Sequence, residues 1–170
     1  AIAMDIDAAG LPFLQGLTPP AGSKSVEELK TIVSWAERPF IIKGVMTARG
    51  AEKALEAGAS GIVVSNHGGR VLDHCPATAE VLPEIADAVG GKMTIFVDGG
   101  IRSGMDIFKA LALGADAVLI GRPFVTAVYG GGEEGVQCYV QKLKAELADT
   151  MRMCGAHTLK EIERSMVYRG

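Results

Sequence analysis

Apolar residues gather in five short runs: 1–6 (AIAMDI), 40–45 (FIIKGV), 61–66 (GIVVSN), 94–99 (TIFVDG) and 117–122 (AVLIGR). The last four are apolar almost throughout their interiors and rich in β-branched residues, a pattern that predicts parallel strands buried on both faces. The segments between them carry helix signals. Ser25 and Glu28 have capping-box spacing ahead of VEELKTIVSWA. Thr47 precedes ARGAEKALEAG, which stops at Gly58, and Ser103 with Asp106 opens GMDIFKALALG, which closes on Gly114. TAEVLPEIADAVGG contains Pro83, which suits a first turn or a kink. After the last strand, 133–150 predicts a long amphipathic helix and 158–166 a shorter one.

The chain also repeats itself. KALEAGASGIVVSN (53–66) and KALALGADAVLIGR (109–122) share Lys, Ala, Leu, Gly and Ala at matching places. Each runs helix, Gly-Ala turn, buried strand. Strand–helix alternation at this spacing implies parallel strands joined by right-handed crossovers, hence a doubly wound sheet or a (β/α) barrel. The polar residues favour the barrel. Lys43, Ser65-Asn66-His67, Asp98-Gly99-Gly100 and Gly121-Arg122 fall at the carboxyl ends of four different strands. A barrel collects functional groups from many strand ends around one mouth, whereas a doubly wound sheet uses one switch point. Residues 1–170 read as part of a single domain.

Composition adds little and excludes some partners. The 170 residues are 48% hydrophobic, with 20 acidic and 17 basic side chains and a formal charge of −3. No basic block points to nucleic acid or an anionic membrane surface. No apolar run approaches the roughly 20 residues of a membrane span. Cys75, Cys138 and Cys154 form no CxxC pair, which fits reduced thiols in a cytoplasmic protein without a disulfide framework or zinc site.

Two stretches suit an anion. VDGGIRSGMD (97–106) joins a glycine turn to Arg102 and a helix start, and IGRPF (120–124) repeats the theme with Gly121 and Arg122. Glycines let backbone N–H groups approach a phosphate, and a helix start adds a favourable dipole. Lys43 would aim a positive charge into the mouth. His67, between Asn66 and two glycines, is the candidate acid/base, since imidazole titrates near neutral pH. Arg70 offers paired N–H donors suited to a carboxylate. His74 and Cys75 match no metal-ligand spacing with His67, so no metal is expected.

IIKGV, GIVVSNHGGRVLD, TIFVDGGIRSGMDIFKALALGA and VLIGRPF resemble the FMN-dependent α-hydroxy-acid oxidase and dehydrogenase family, which includes lactate oxidase and glycolate oxidase. SNHGGR is the most specific of these motifs. The resemblance implies a (β/α)8 TIM barrel of which this chain covers roughly strands 4 to 8. It implies FMN as cofactor and a small 2-hydroxy acid as substrate. By the same resemblance Lys43 would stabilise the reduced ring, Ser65 would contact the flavin, and His67 would take the substrate hydroxyl proton. Arg70 would hold the substrate carboxylate, and Asp7 would pair with His67. Asp98, Gly99, Gly100, Arg102, Gly121 and Arg122 would hold the ribityl chain and phosphate.

The chain departs from the family in places. Asp5 stands where a Thr or Ser-like residue is usual, and 8–25 contains no Arg and is short. A full barrel takes about 250 residues, so a separate N-terminal part or a second copy is expected to complete it, and a homo-oligomer is anticipated. Two alternatives stay open: a flavin- or phosphate-binding module without turnover, and an FMN barrel of another class such as type 2 isopentenyl diphosphate isomerase.

Overall fold

The computed structural model describes residues 1–8, 11–14, 16–18 and 22–168. Five strands form one parallel sheet in sequence order: β1 (Ile2–Asp5), β2 (Phe40–Val45), β3 (Gly61–Val64), β4 (Thr94–Val97) and β5 (Ala117–Val118). Helices α1 (Val26–Trp35), α2 (Ala48–Glu56), α3 (Thr78–Val89) and α4 (Gly104–Ala112) supply the crossovers, and α5 (Arg122–Cys154) comes after the last strand. Because every strand runs the same way, all the strand-to-helix loops leave one edge of the sheet.

Burial tracks the apolar runs. All of β3 is buried, and Ile42, Ile62, Val64 and Ile95 interlock with Ala51 and Ala54 of α2 and Leu82, Ile85 and Val89 of α3. Fully burying one such aliphatic side chain stabilises the fold by about 1.5–3 kcal/mol. β1 and β5, the two edges of the sheet, are the exceptions: Ile2 remains 45% exposed, and Ala117 and Val118 are only half-buried rather than buried on both faces as the apolar run predicts.

The helix starts match their sequence signals. Ser25 Oγ accepts from the Glu28 N–H while Glu28 Oε2 accepts from the Ser25 N–H, and Ser103 and Asp106 make the same exchange at α4. Thr47 Oγ1 accepts from the Gly50 N–H at the start of α2. Gly58 and Gly114 close α2 and α4 in left-handed conformations, with φ of 85° and 108°.

Four elements differ from the sequence reading. Pro83 lies in the second turn of α3 rather than the first, with its ring buried in the core. β5 ends at Val118 instead of 122, since Leu119 makes the last backbone bond to β4 and Gly121 already caps α5. α5 begins at Arg122, where Pro123 suits the first turn, and leaves helical geometry at Gly131 and Gly132 before resuming as far as Cys154. Residues 158–166 form two 3₁₀ turns, Leu159–Glu161 and Arg164–Met166, not one helix. Arg164 pins the second of these to α3 through two bonds to the Asp87 carboxylate.

Candidate functional site

The loop after β3 is shaped by one buried hydroxyl and three left-handed residues. Ser65 is fully buried. Its Oγ accepts from the His67 N–H at 3.0 Å. His67, Gly68 and Gly69 have φ of 57°, 67° and 78°. A non-glycine residue in that region costs roughly 1–2 kcal/mol, and the contacts around His67 hold it there. Asn66 Oδ1 accepts from the Gly69 N–H, and Arg70 Nε donates to the His67 carbonyl. A Cβ at Gly68 would stand 2.8 Å from Arg122 Nη2, so the guanidinium of the loop after β5 comes right up to this loop, and the φ of 67° is what calls for glycine there.

β1 and the turn after it supply a carboxylate to each of two basic groups. The parallel register sets Asp5 beside Lys43, and Asp5 Oδ1 lies 2.6 Å from Lys43 Nζ. Two residues on, Asp7 Oδ1 lies 3.2 Å from His67 Nδ1, with both side chains largely buried. Gly44, at φ 100°, makes room for Asp7, because a Cβ there would come within 2.7 Å of Asp7 Cγ. Asp5, Asp7 and His67 each bring a ligand atom within 4.8 Å of the others. All three are already engaged in these acid–base pairs.

After β4, Gly99 and Gly100 take φ of 94° and 77° and turn the chain toward α4. The sequence motif assigns part of the anion site to the start of that helix. There, however, Asp106 Oδ2 accepts from the N–H groups of Arg102 and Ser103, Ser103 Oγ from that of Asp106, and Glu146 Oε2 from that of Gly104. Burial works to raise the Asp106 carboxyl, but the bonds from Ser103 and Arg102 outweigh it and hold the group below its ordinary value of 3.8. The helix start is thus capped by the protein itself. A ligand anion is left to the glycine turns and the two guanidinium groups.

These loops enclose a cavity of about 920 Å³ at the carboxyl edge of the sheet. Lys43, His67, Arg70, Asp98, Gly99, Gly100, Arg102, Gly121 and Arg122 line it, while Asp7 and Ser65 stand behind the lining. The wall is strongly cationic, with Lys43, Arg70, Arg102, Arg122 and Lys142 all contributing to it. Asp98 is the exception. Burial pushes its carboxyl above the ordinary 3.8, against the opposing pull of Ser65, Lys43 and His67. Its Oδ1 is buried without a hydrogen-bond partner among the described residues.

α5 also contributes lining residues that sequence reasoning missed, among them Cys138, Tyr139 and Lys142. Their i, i+1, i+4 spacing on an amphipathic helix was the available signal, but nothing in it says which face turns to the mouth. His74 points away, its side chain 96% exposed.

The family profile described as FMN-dependent dehydrogenase matches residues 13–169. A peroxisomal (S)-2-hydroxyacid oxidase of Arabidopsis thaliana is 48% identical over 144 residues, 85% of this chain and 39% of the relative. Glycolate oxidase of Spinacia oleracea is also 48% identical, over 85% of this chain and 38% of its own length. The fold is similar to that of a mandelate oxidase variant solved with (S)-mandelic acid, at a TM-score of 0.81 and 41% identity, covering 85% of this chain and 43% of that one. The chain therefore spans about two fifths of the length of these relatives. Its five consecutive parallel strands correspond to part of a TIM barrel, and by sequence and fold together the chain belongs to the FMN-dependent dehydrogenase family.

Proposed function

We propose that the cavity holds FMN and that the protein oxidises a small 2-hydroxy acid to the 2-oxo acid. The observation that carries this reading is the convergence on one cavity of an Asp-paired imidazole, a neighbouring guanidinium, a lysine and two glycine–arginine turns. The cavity suits FMN. Gly100 and Gly121 have open space where a Cβ would lie, Arg102 and Arg122 supply charge for a phosphate, and Asp98 offers a buried oxygen with unused hydrogen-bonding capacity. Bound FMN supplies a two-electron acceptor that takes the α-hydrogen as hydride.

The chain's own groups account for the rest. Arg70 binds the substrate carboxylate and orients the α-carbon. His67, with Nδ1 held by Asp7, takes the hydroxyl proton at Nε2, and the Asp7 carboxylate stabilises the imidazolium that forms. Lys43 lines the cavity where negative charge accumulates, its own charge partly offset by Asp5 at 2.6 Å. Ser65 fixes the loop through the His67 N–H. Electrons, hydride and proton then balance: C–H and O–H bonds break, and the C=O bond forms. The three cysteines, none in a disulfide, fit a cytoplasmic location, whereas several relatives carry "peroxisomal" in their names.

The test is anaerobic addition of L-lactate or glycolate to flavin-loaded protein, with bleaching of the flavin absorbance as the expected result. His67→Ala should remove the bleaching and leave flavin binding intact. If no 2-hydroxy acid bleaches the flavin, the substrate class is wrong. If His67→Ala also changes nothing measurable, the protein is a binding module without turnover, a reading that the neutralised Lys43–Asp5 pair favours.

A further inference from the structure

Two glycine turns can grip one phosphate only if their separation is fixed, and glycine turns do not fix it themselves. One side chain spans both. The Tyr139 hydroxyl donates to the Arg102 carbonyl at 3.0 Å, in the turn after β4. The Tyr139 ring meets the edge of Phe124, two residues beyond Arg122, with centroids 5.0 Å apart and planes at 74°. The break at Gly131 and Gly132 lets the second half of α5 return toward its own first turn and bring these rings together. That second half is itself anchored. Glu146 Oε2 accepts from the Gly104 N–H, and a Cβ at Gly104 would collide with the Leu147 nitrogen, so α4 and α5 touch backbone to backbone.

We propose that Tyr139 is a positioning residue for the phosphate site, a strut whose hydroxyl holds the Arg102 turn and whose ring holds the Arg122 turn at a fixed separation. The proposal rests on the reading that this cavity takes FMN, and it adds a residue to the recognition of the phosphate. Tyr139 lines the cavity, but its hydroxyl hydrogen is committed to the Arg102 carbonyl. Burial shifts its phenol upward, which keeps that hydrogen in place at neutral pH.

Riboflavin, which lacks the phosphate, isolates the effect. Titration of the 170-residue chain with FMN and with riboflavin, monitored by quenching of flavin fluorescence, gives the preference for the phosphorylated form. Tyr139→Phe should lower that preference about three- to tenfold, the worth of one neutral hydrogen bond, with riboflavin affinity unchanged. Phe124→Leu, which removes the ring contact from the other side, should lower it similarly. If the unaltered chain prefers FMN and both variants keep that preference, the strut role is wrong while the FMN site stands. If FMN and riboflavin weaken equally, Tyr139 is merely structural and the proposal falls. If the unaltered chain shows no preference for FMN, the phosphate site itself is wrong and the strut with it.

Discussion

Ser65 shows how much one small side chain can fix. Fully buried, it receives the His67 N–H and so fixes the turn of the loop after β3. Ser65→Ala leaves the His67 N–H short of its partner and should cost about 1–3 kcal/mol in urea unfolding. Asp98 carries a pH signature of the opposite kind to most carboxylates. Its folded pKa is raised by burial, so the native state binds the proton more tightly than the unfolded chain does. Stability therefore falls as pH rises from the ordinary 3.8 through the raised value. Asp98→Asn removes that slope, and urea midpoints between about pH 3.5 and 6 should show the variant gaining on the parent as pH rises. The Lys43–Asp5 pair behaves differently. Both partners are partly exposed, so Asp5→Asn should change stability by less than about 1 kcal/mol. If the cavity takes FMN as proposed, it should also raise the reduction potential of bound flavin, because Lys43 then faces the cavity with its charge uncompensated.

Helix ends were the most legible elements, because capping is local. Ser103 and Asp106 lie three residues apart, and their reciprocal bonds form in the fold as the spacing predicts. Removing the cap with Ser103→Ala should cost about 1 kcal/mol. The same cap fixes a pH dependence opposite to that of Asp98. The lowered Asp106 carboxyl stabilises the fold fully above its ordinary 3.8, and that contribution fades as pH drops through the lower folded value. Long-range facts were less legible. β5 stops at two residues because the chain must turn at once into α5, and the first half of α5 was hidden by the glycines at 130–132 that interrupt its pattern. Those glycines serve the fold. Gly132 adopts φ 55° and ψ −133°, a region closed to a side chain. Gly132→Ala should therefore straighten or destabilise the junction that brings Tyr139 to Phe124.

For the molecule as a whole, strand order, parallel direction and the gathering of polar residues at one sheet edge could all be read from the sequence, because each arises from apolar runs alternating with helices. The Asp7–His67 pair came with the family resemblance, but the Asp5–Lys43 pair could not be read, since it depends on register: one residue of slip would move Asp5 to the other face. Register also decides what the open edge does. The N–H groups of Ile2 and Ile6 point to β2, bonding Pro39 and Lys43 carbonyls. By the two-residue period of a strand, those of Ala3 and Asp5 point outward. At the opposite end, Val125, Val128 and Tyr129 of α5 leave apolar surface exposed. An unpaired strand and an uncovered apolar face both invite another chain. The purified chain should associate as its concentration rises in sedimentation velocity. Ala3→Pro removes an outward donor while sparing the β1–β2 ladder, since proline is tolerated at an edge, and it should shift the equilibrium toward monomer with little change in melting temperature. Association that ignores Ala3→Pro but responds to Tyr129→Lys would move the contact to α5, and a monomer at every concentration would show that neither face recruits a second copy.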